Sequence, residues 1–133
     1  MTTKRVTHPA ARALRERALS YPKTVEDHPW GDTAFKVDGK KVFCFFGENE
    51  GGGFGCSMKL PFRAEEALTL KDAMATPYGL GRAGWVSMKF GPKAKVPLER
   101  LFDYLDESWR AVAPKKLSAA YPQPPAPKKR KAT

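Results

Sequence analysis

The sequence predicts a two-layer α+β fold, an antiparallel sheet with helices stacked against it, in the element order α-βββ-α-β-α. Three observations carry this expectation. Between residues 33 and 60, three segments rich in aromatic and apolar residues are separated by glycine-bearing turns, the pattern of a strand run. A fourth segment of the same kind, Trp85 to Phe90, comes later in the chain. Helical periodicity brackets the strands, weakly near residue 10 and clearly from Leu98 onward. Runs of strands with helices outside them give layered α+β architectures.

The first element, His8 to Ser20, reads as a helix. Pro9 suits its first turn, where a backbone N–H would lack a partner, and Ala10, Leu14 and Ala18 form an apolar stripe. Tyr21 to Gly31, with Pro22, Pro29 and Gly31, reads as a loop. Strands Thr33–Val37 and Lys41–Phe46 flank Asp38-Gly39-Lys40, and an Asp-Gly pair is a strong hairpin signal. After the loop 47–53, Phe54, Cys56, Met58 and Leu60 alternate with Gly55, Ser57 and Lys59. Centring that second hairpin on Glu50 pairs Val42 with Met58, Cys44 with Cys56 and Phe46 with Phe54. All six are then apolar on one face, which a one-residue slip would destroy.

Arg63 to Ala73 reads as a short helix, ended by the turn-rich stretch Thr76–Gly84. In the next strand, Trp85–Phe90, Val86, Met88 and Phe90 share one face. The last helix carries Leu98, Leu101, Phe102, Leu105, Trp109 and Val112 at helical spacing, with Glu99, Asp103, Asp106 and Glu107 on its other side. An acidic side repels phosphate, so this helix is expected to pack rather than to read DNA.

The chain's 133 residues, 41% of them hydrophobic, suffice for one folded domain, expected over residues 1–113. Its net charge of +10 sits at the ends: residues 1–17 carry +4 and residues 114–133 carry +6. Residues 18–113 balance thirteen basic against thirteen acidic side chains. The segment 114–133, with five prolines, is expected to be a disordered tether. Its cluster Lys128, Lys129, Arg130 and Lys131 either touches phosphate in a salt-sensitive, sequence-blind way or simply solubilises the chain. Apolar runs are only a few residues long, as in Val42–Phe46, so no membrane span and no secretory signal are expected. Two cysteines make no disulfide scaffold, which points to a reducing, cytoplasmic setting.

Several short motifs, in order, give the chain a family resemblance. They are Ala18-Leu-Ser-Tyr-Pro22, Pro29-Trp-Gly-Asp32, Phe35-Lys-Val-Asp-Gly-Lys-Lys-Val-Phe43, Gly84-Trp85-Val86, and the Leu101–Val112 helix containing Ser108-Trp109. Over roughly residues 10–113 the chain resembles the MmcQ/YjbR-like family of small bacterial proteins. The resemblance implies an α+β fold similar to secretion chaperones and an expectation of DNA binding. It brings no catalytic motif, and it does not reach the tail.

The candidate site is the sheet face opposite the core set, which would present Lys36, Phe43, Phe45, Ser57, Lys59, Trp85, Ser87 and Lys89. Aromatics interleaved with lysines can stack bases and hold phosphates. The competing reading is that a helix or a second copy covers this face, with the lysines at the rim. Pro29-Trp30-Gly31, beside His28, forms either an exposed aromatic at a groove mouth or a cap on the core. Cys44 and Cys56, with His8 and His28 on distant segments, are too few and too scattered for zinc. Two buried thiols are expected instead.

Nucleophile-elbow and P-loop patterns are absent. Gly79 to Gly84 fits a GxGxxG spacing but precedes a strand, the wrong context for a dinucleotide. The residues therefore predict a small non-enzymatic protein, with no cofactor, that binds nucleic acid through the basic-aromatic face and the basic tail. The alternative is a chaperone-like interaction module that meets a peptide or a second copy with the open face or the apolar stripe of the last helix.

Overall fold

His8 caps the first helix, α1 (Pro9–Ser20): its Nδ1 accepts the Ala10 N–H at 3.1 Å, and Pro9 follows in the first turn. The buried stripe is Ala11, Leu14 and Ala18, one residue away from the expected one at its start. The computed structural model describes residues 8–28, 33–48, 52–76 and 83–120. The expected Pro29-Trp30-Gly31 feature, residues 79–82 of the Gly79–Gly84 motif, and Lys128–Lys131 lie outside the described residues.

Six strands follow: β1 (Thr24–Asp27), β2 (Thr33–Val37), β3 (Lys41–Glu48), β4 (Phe54–Lys59), β5 (Ala73–Ala75) and β6 (Trp85–Phe90). They form one antiparallel sheet in the order β1-β2-β3-β4-β6-β5. The helices α2 (Ala64–Ala67), α3 (Leu98–Val112) and α4 (Lys115–Ala120) complete the chain's described elements. The two-layer α+β architecture is as expected, with α3 laid across β3 and β4 and α1 packed on α3 and β1. Among the described residues, no helix is long and apolar enough to cross a membrane.

The first hairpin is the one its sequence announces. Asp38 and Gly39 both take positive φ (58° and 67°), and the Lys40 N–H closes the turn on the Val37 carbonyl at 3.0 Å. Two positive φ values in a two-residue turn match the right-handed twist of the flanking strands.

Five details depart from expectation. Within the expected loop 21–31, Thr24–Asp27 forms the edge strand β1; an edge strand needs only one bonded neighbour and can be polar. The second hairpin pairs Cys44 with Met58, Phe46 with Cys56 and Glu48 with Phe54, so Gly47 and Glu48 belong to the strand. This register is two residues from the expected one, and a two-residue slip keeps every side chain on its face, so alternation alone cannot detect it. Helix α2 stops at Ala67; Asp72 takes a left-handed φ of 65°, which breaks a helix, and Ala73–Ala75 pairs with β6. Residues 115–120, read as the start of the tail, form α4, whose Ser118 carbonyl accepts from Arg110 Nη1 at 3.2 Å.

The fifth departure is a β-bulge. Phe35 pairs with Cys44 but Lys36 pairs with Val42, so Phe43 is an extra residue in β3. It turns inward with Cys44, fully buried, its ring 6.0 Å from that of Tyr21 and 6.4 Å from that of Phe35. Continued by one residue, the β3–β4 register would bring the Lys59 N–H to the Phe43 carbonyl. Ser108 of α3 stands between them: its Oγ accepts from Lys59 N at 2.8 Å and donates to the Phe43 oxygen. One helix hydroxyl thus splices the ladder where the bulge breaks it.

The supposed acidic side of α3 is also half absorbed into the structure. Asp106 is buried; it accepts from the Tyr21 hydroxyl at 3.0 Å and from Arg110 Nε at 3.2 Å. Glu107 Oε2 accepts the Phe62 and Arg63 N–H groups at 2.7 and 3.1 Å, which fixes the turn after β4. Trp109 lies stacked on Tyr21, with centroids 5.2 Å apart, in a core that includes Leu101, Leu105, Phe54 and Met88.

Candidate functional site

The helices cover one face of the sheet, and residues that pair directly across antiparallel strands point to the same side. One row on the other face runs Asp27, Ala34, Phe45, Ser57, Ser87, Met74 from edge to edge. Toward one end of the strands lie Lys59 opposite Trp85, and Val25 opposite Lys36. Toward the other end lie Gly47, Gly55 and Lys89.

The fold therefore brings Lys36, Phe45, Ser57, Lys59, Trp85, Ser87 and Lys89 to one surface, as expected. Phe43 does not belong there; the bulge turns it into the core, which corrects its place among the candidates. Trp85 is on this face but only 8% exposed, its ring tilted against Phe45 at 5.6 Å. Phe45 is half-buried and offers the more accessible ring.

The cations differ in freedom. Lys36 Nζ lies 2.8 Å from Asp27 Oδ2, and the hydrogen bond from Lys36 holds the Asp27 carboxyl below its usual range, helped by the His28 N–H. Lys36 is thereby partly neutralised. Lys89 is exposed and Lys59 half-buried, and neither is among the ion pairs of the described residues.

Three hydroxyls form a chain across the face. Ser57 Oγ and Ser87 Oγ are 2.7 Å apart, and Thr76 Oγ1 lies 2.9 Å from Ser87 Oγ. Three O–H protons serve two hydrogen bonds, so one proton is left for something outside the chain. Beside them an open hollow of about 280 Å³ is lined by Phe45, Gly47, Gly55, Ser57, Ser87 and Lys89, with Glu48 also at its edge.

The glycines of this hollow are what the sequence reading passed over. Glycine inside an alternating strand is a recognised mark of close approach by a ligand or another backbone. That signal was present at Gly55. Thr76 was hidden because it joins the face only through the unexpected strand β5.

Other chemistry is muted. Cys44 and Cys56 are free thiols in the core; burial pushes both up, Cys56 to about 12, so neither is a ready nucleophile. Among the described residues, no three His, Cys, Asp or Glu side chains gather as metal ligands.

A family model described as YjbR matches residues 19–111. No curated protein matches the chain. Among solved structures, the chain is similar to the Deinococcus radiodurans protein DR2400, a DUF419 domain. That likeness has a TM-score of 0.61 and 24% identity, covering 76% of each chain, and it speaks to the fold.

Proposed function

The chain belongs to the YjbR family, and from that premise we propose that it binds nucleic acid through the open face of its sheet. The observation that carries the reading is the hollow of about 280 Å³, in which an accessible aromatic ring, bare backbone, hydroxyls and a free lysine converge. Lys59 and Lys89 supply charge for phosphate, Phe45 a surface for stacking, and the Ser57–Ser87–Thr76 chain a hydrogen-bond donor. With so few cations, the contact is weak and salt-sensitive.

A chaperone-like role would need a contiguous apolar surface. On this face, the large hydrophobics that stand exposed among the described residues are Val25 and Met74. They lie on opposite edge strands of a six-stranded sheet, roughly 24 Å apart at the usual strand spacing. That separation favours the nucleic-acid reading.

The test is a fluorescence-anisotropy titration of a short labelled oligonucleotide at several salt concentrations, comparing the full chain with a Lys59→Gln/Lys89→Gln variant. The variant is expected to bind more weakly at low salt, with a log–log salt slope shallower by about one to two. Unchanged affinity and slope in the variant would remove the open face from the function. The basic ends of the chain would then account for any binding that remains.

A further inference from the structure

Gly55 sits inside β4 with no conformational reason to be glycine. Its φ is ordinary, and a Cβ built there would meet only Met88 O at 3.4 Å and Lys89 Cγ at 3.7 Å, normal packing distances. Its neighbours differ. A Cβ on Gly53 would run into the Phe90 carbonyl, and Gly52 and Gly84 have φ of +95° and +92°. Glycine in a strand interior costs roughly 0.5–1 kcal/mol relative to alanine. A β-branched residue would suit the position better still.

What the glycine provides is an absence. Gly55 pairs with Gly47, so two adjacent positions of the open face carry no side chain and leave the peptide planes bare. Phe45, Ser57 and Ser87 form the row that borders the resulting hollow, with Lys89 opposite Gly55 at its rim and Glu48 also at its edge. We infer that this hollow receives one unpaired nucleobase, so that the ligand of the open face is single-stranded. The inference rests on the nucleic-acid reading above and narrows it.

The chemistry matches part by part. A flat ring can lie on bare backbone where any Cβ would hold it off, and Phe45 gives it an aromatic contact. The hydroxyl chain has one proton to donate to an acceptor on the base edge. Lys89 takes the adjoining phosphate. In a duplex the base edges are paired and the rings stacked inside, so a base reaches such a hollow only from a single strand or after being flipped out.

The experiment titrates the full chain, Gly55→Val, Gly55→Ala and Lys59→Gln/Lys89→Gln with one labelled oligonucleotide, single-stranded and as its duplex, and records the melting temperature of each protein. The wild-type chain is expected to favour the single strand. Gly55→Val should lower single-strand affinity by about tenfold, the worth of one stacked base, and leave duplex affinity alone. Its melting temperature should stay level or rise, and Gly55→Ala, the milder change, should fall between.

Equal affinity of the wild-type chain for single strand and duplex would overturn the inference. So would full single-strand affinity in both Gly55 variants while the lysine variant weakens, although the nucleic-acid reading would then stand. If none of the variants differs from wild type, both fall together.

Discussion

Under α3, polar side chains are committed to the protein itself: Ser108 to two strands, Asp106 to Tyr21 and Arg110, Tyr104 to Glu66 and Arg100. On the opposite face, Ser57, Ser87 and Thr76 are bonded to one another, and Lys59 and Lys89 to no carboxylate of the described residues. Glycine replaces side chains there where the backbone does not ask for it. The difference teaches where to look for function in a small fold. Satisfied polar groups specify the structure, whereas polar groups with spare capacity beside an unforced glycine are available to something else.

The comparison breaks most sharply at Trp109, fully buried under the sheet and stacked on Tyr21. Trp109→Ala is expected to cost about 3–5 kcal/mol, read as a loss of urea-unfolding midpoint, while any molecules that remain folded keep their oligonucleotide affinity. Alkali should act next, and on the same face. Desolvation raises Cys44 well above the ordinary thiol and Cys56 to about 12, and it raises Tyr21 and lifts Tyr104 to about 12.

These groups hold their protons longer folded than unfolded. Stability is therefore complete below about pH 9, the ordinary thiol value, and falls as pH rises toward 12, because the unfolded chain ionises first. Melting temperatures recorded from neutral to strongly alkaline buffer should show that decline, and a flat profile would mean the thiols are not sealed. Ser108→Ala comes third. It leaves the Lys59 N–H and the Phe43 carbonyl without their shared partner, for about 1–3 kcal/mol in denaturant titration. The smallest effect belongs to the open face: Gly55→Val should change stability by less than about 1 kcal/mol, in the favourable direction. A large destabilisation there would show that the glycine serves the fold after all.

Much of this contrast was legible in the residues, and the rest was hidden for identifiable reasons. Alternation in Phe54–Leu60 and Trp85–Phe90 assigned faces correctly, and the Asp38-Gly39 pair located its turn. Phe43 misled because alternation assumes a regular pleat, and a bulge beside consecutive apolar residues leaves no mark in that pattern. The polar residues of α3 misled in another way. Asp106 and Glu107 read as a solvent side because their partners, Tyr21 and the Phe62–Arg63 turn, are more than forty residues away in sequence. The lysines of the candidate site were identified from pattern, but the hollow was not, since it is made of side chains that are missing.

The Ser108 splice also orders events in time. Its two strand partners lie 49 and 65 residues earlier in the chain. A ribosome therefore synthesises all six strands before it makes the residue that joins β3 to β4 at the bulge. Until α3 arrives, the Lys59 amide and the Phe43 carbonyl stay unpaired at the middle of a nascent sheet whose inner face is bare, a species prone to associating with its neighbours. Contacts that distant are slow to form, and the serine couples the closing of the ladder to the docking of the helix. A chain stalled or cut before residue 108 should thus be a client for chaperones rather than a smaller version of the protein.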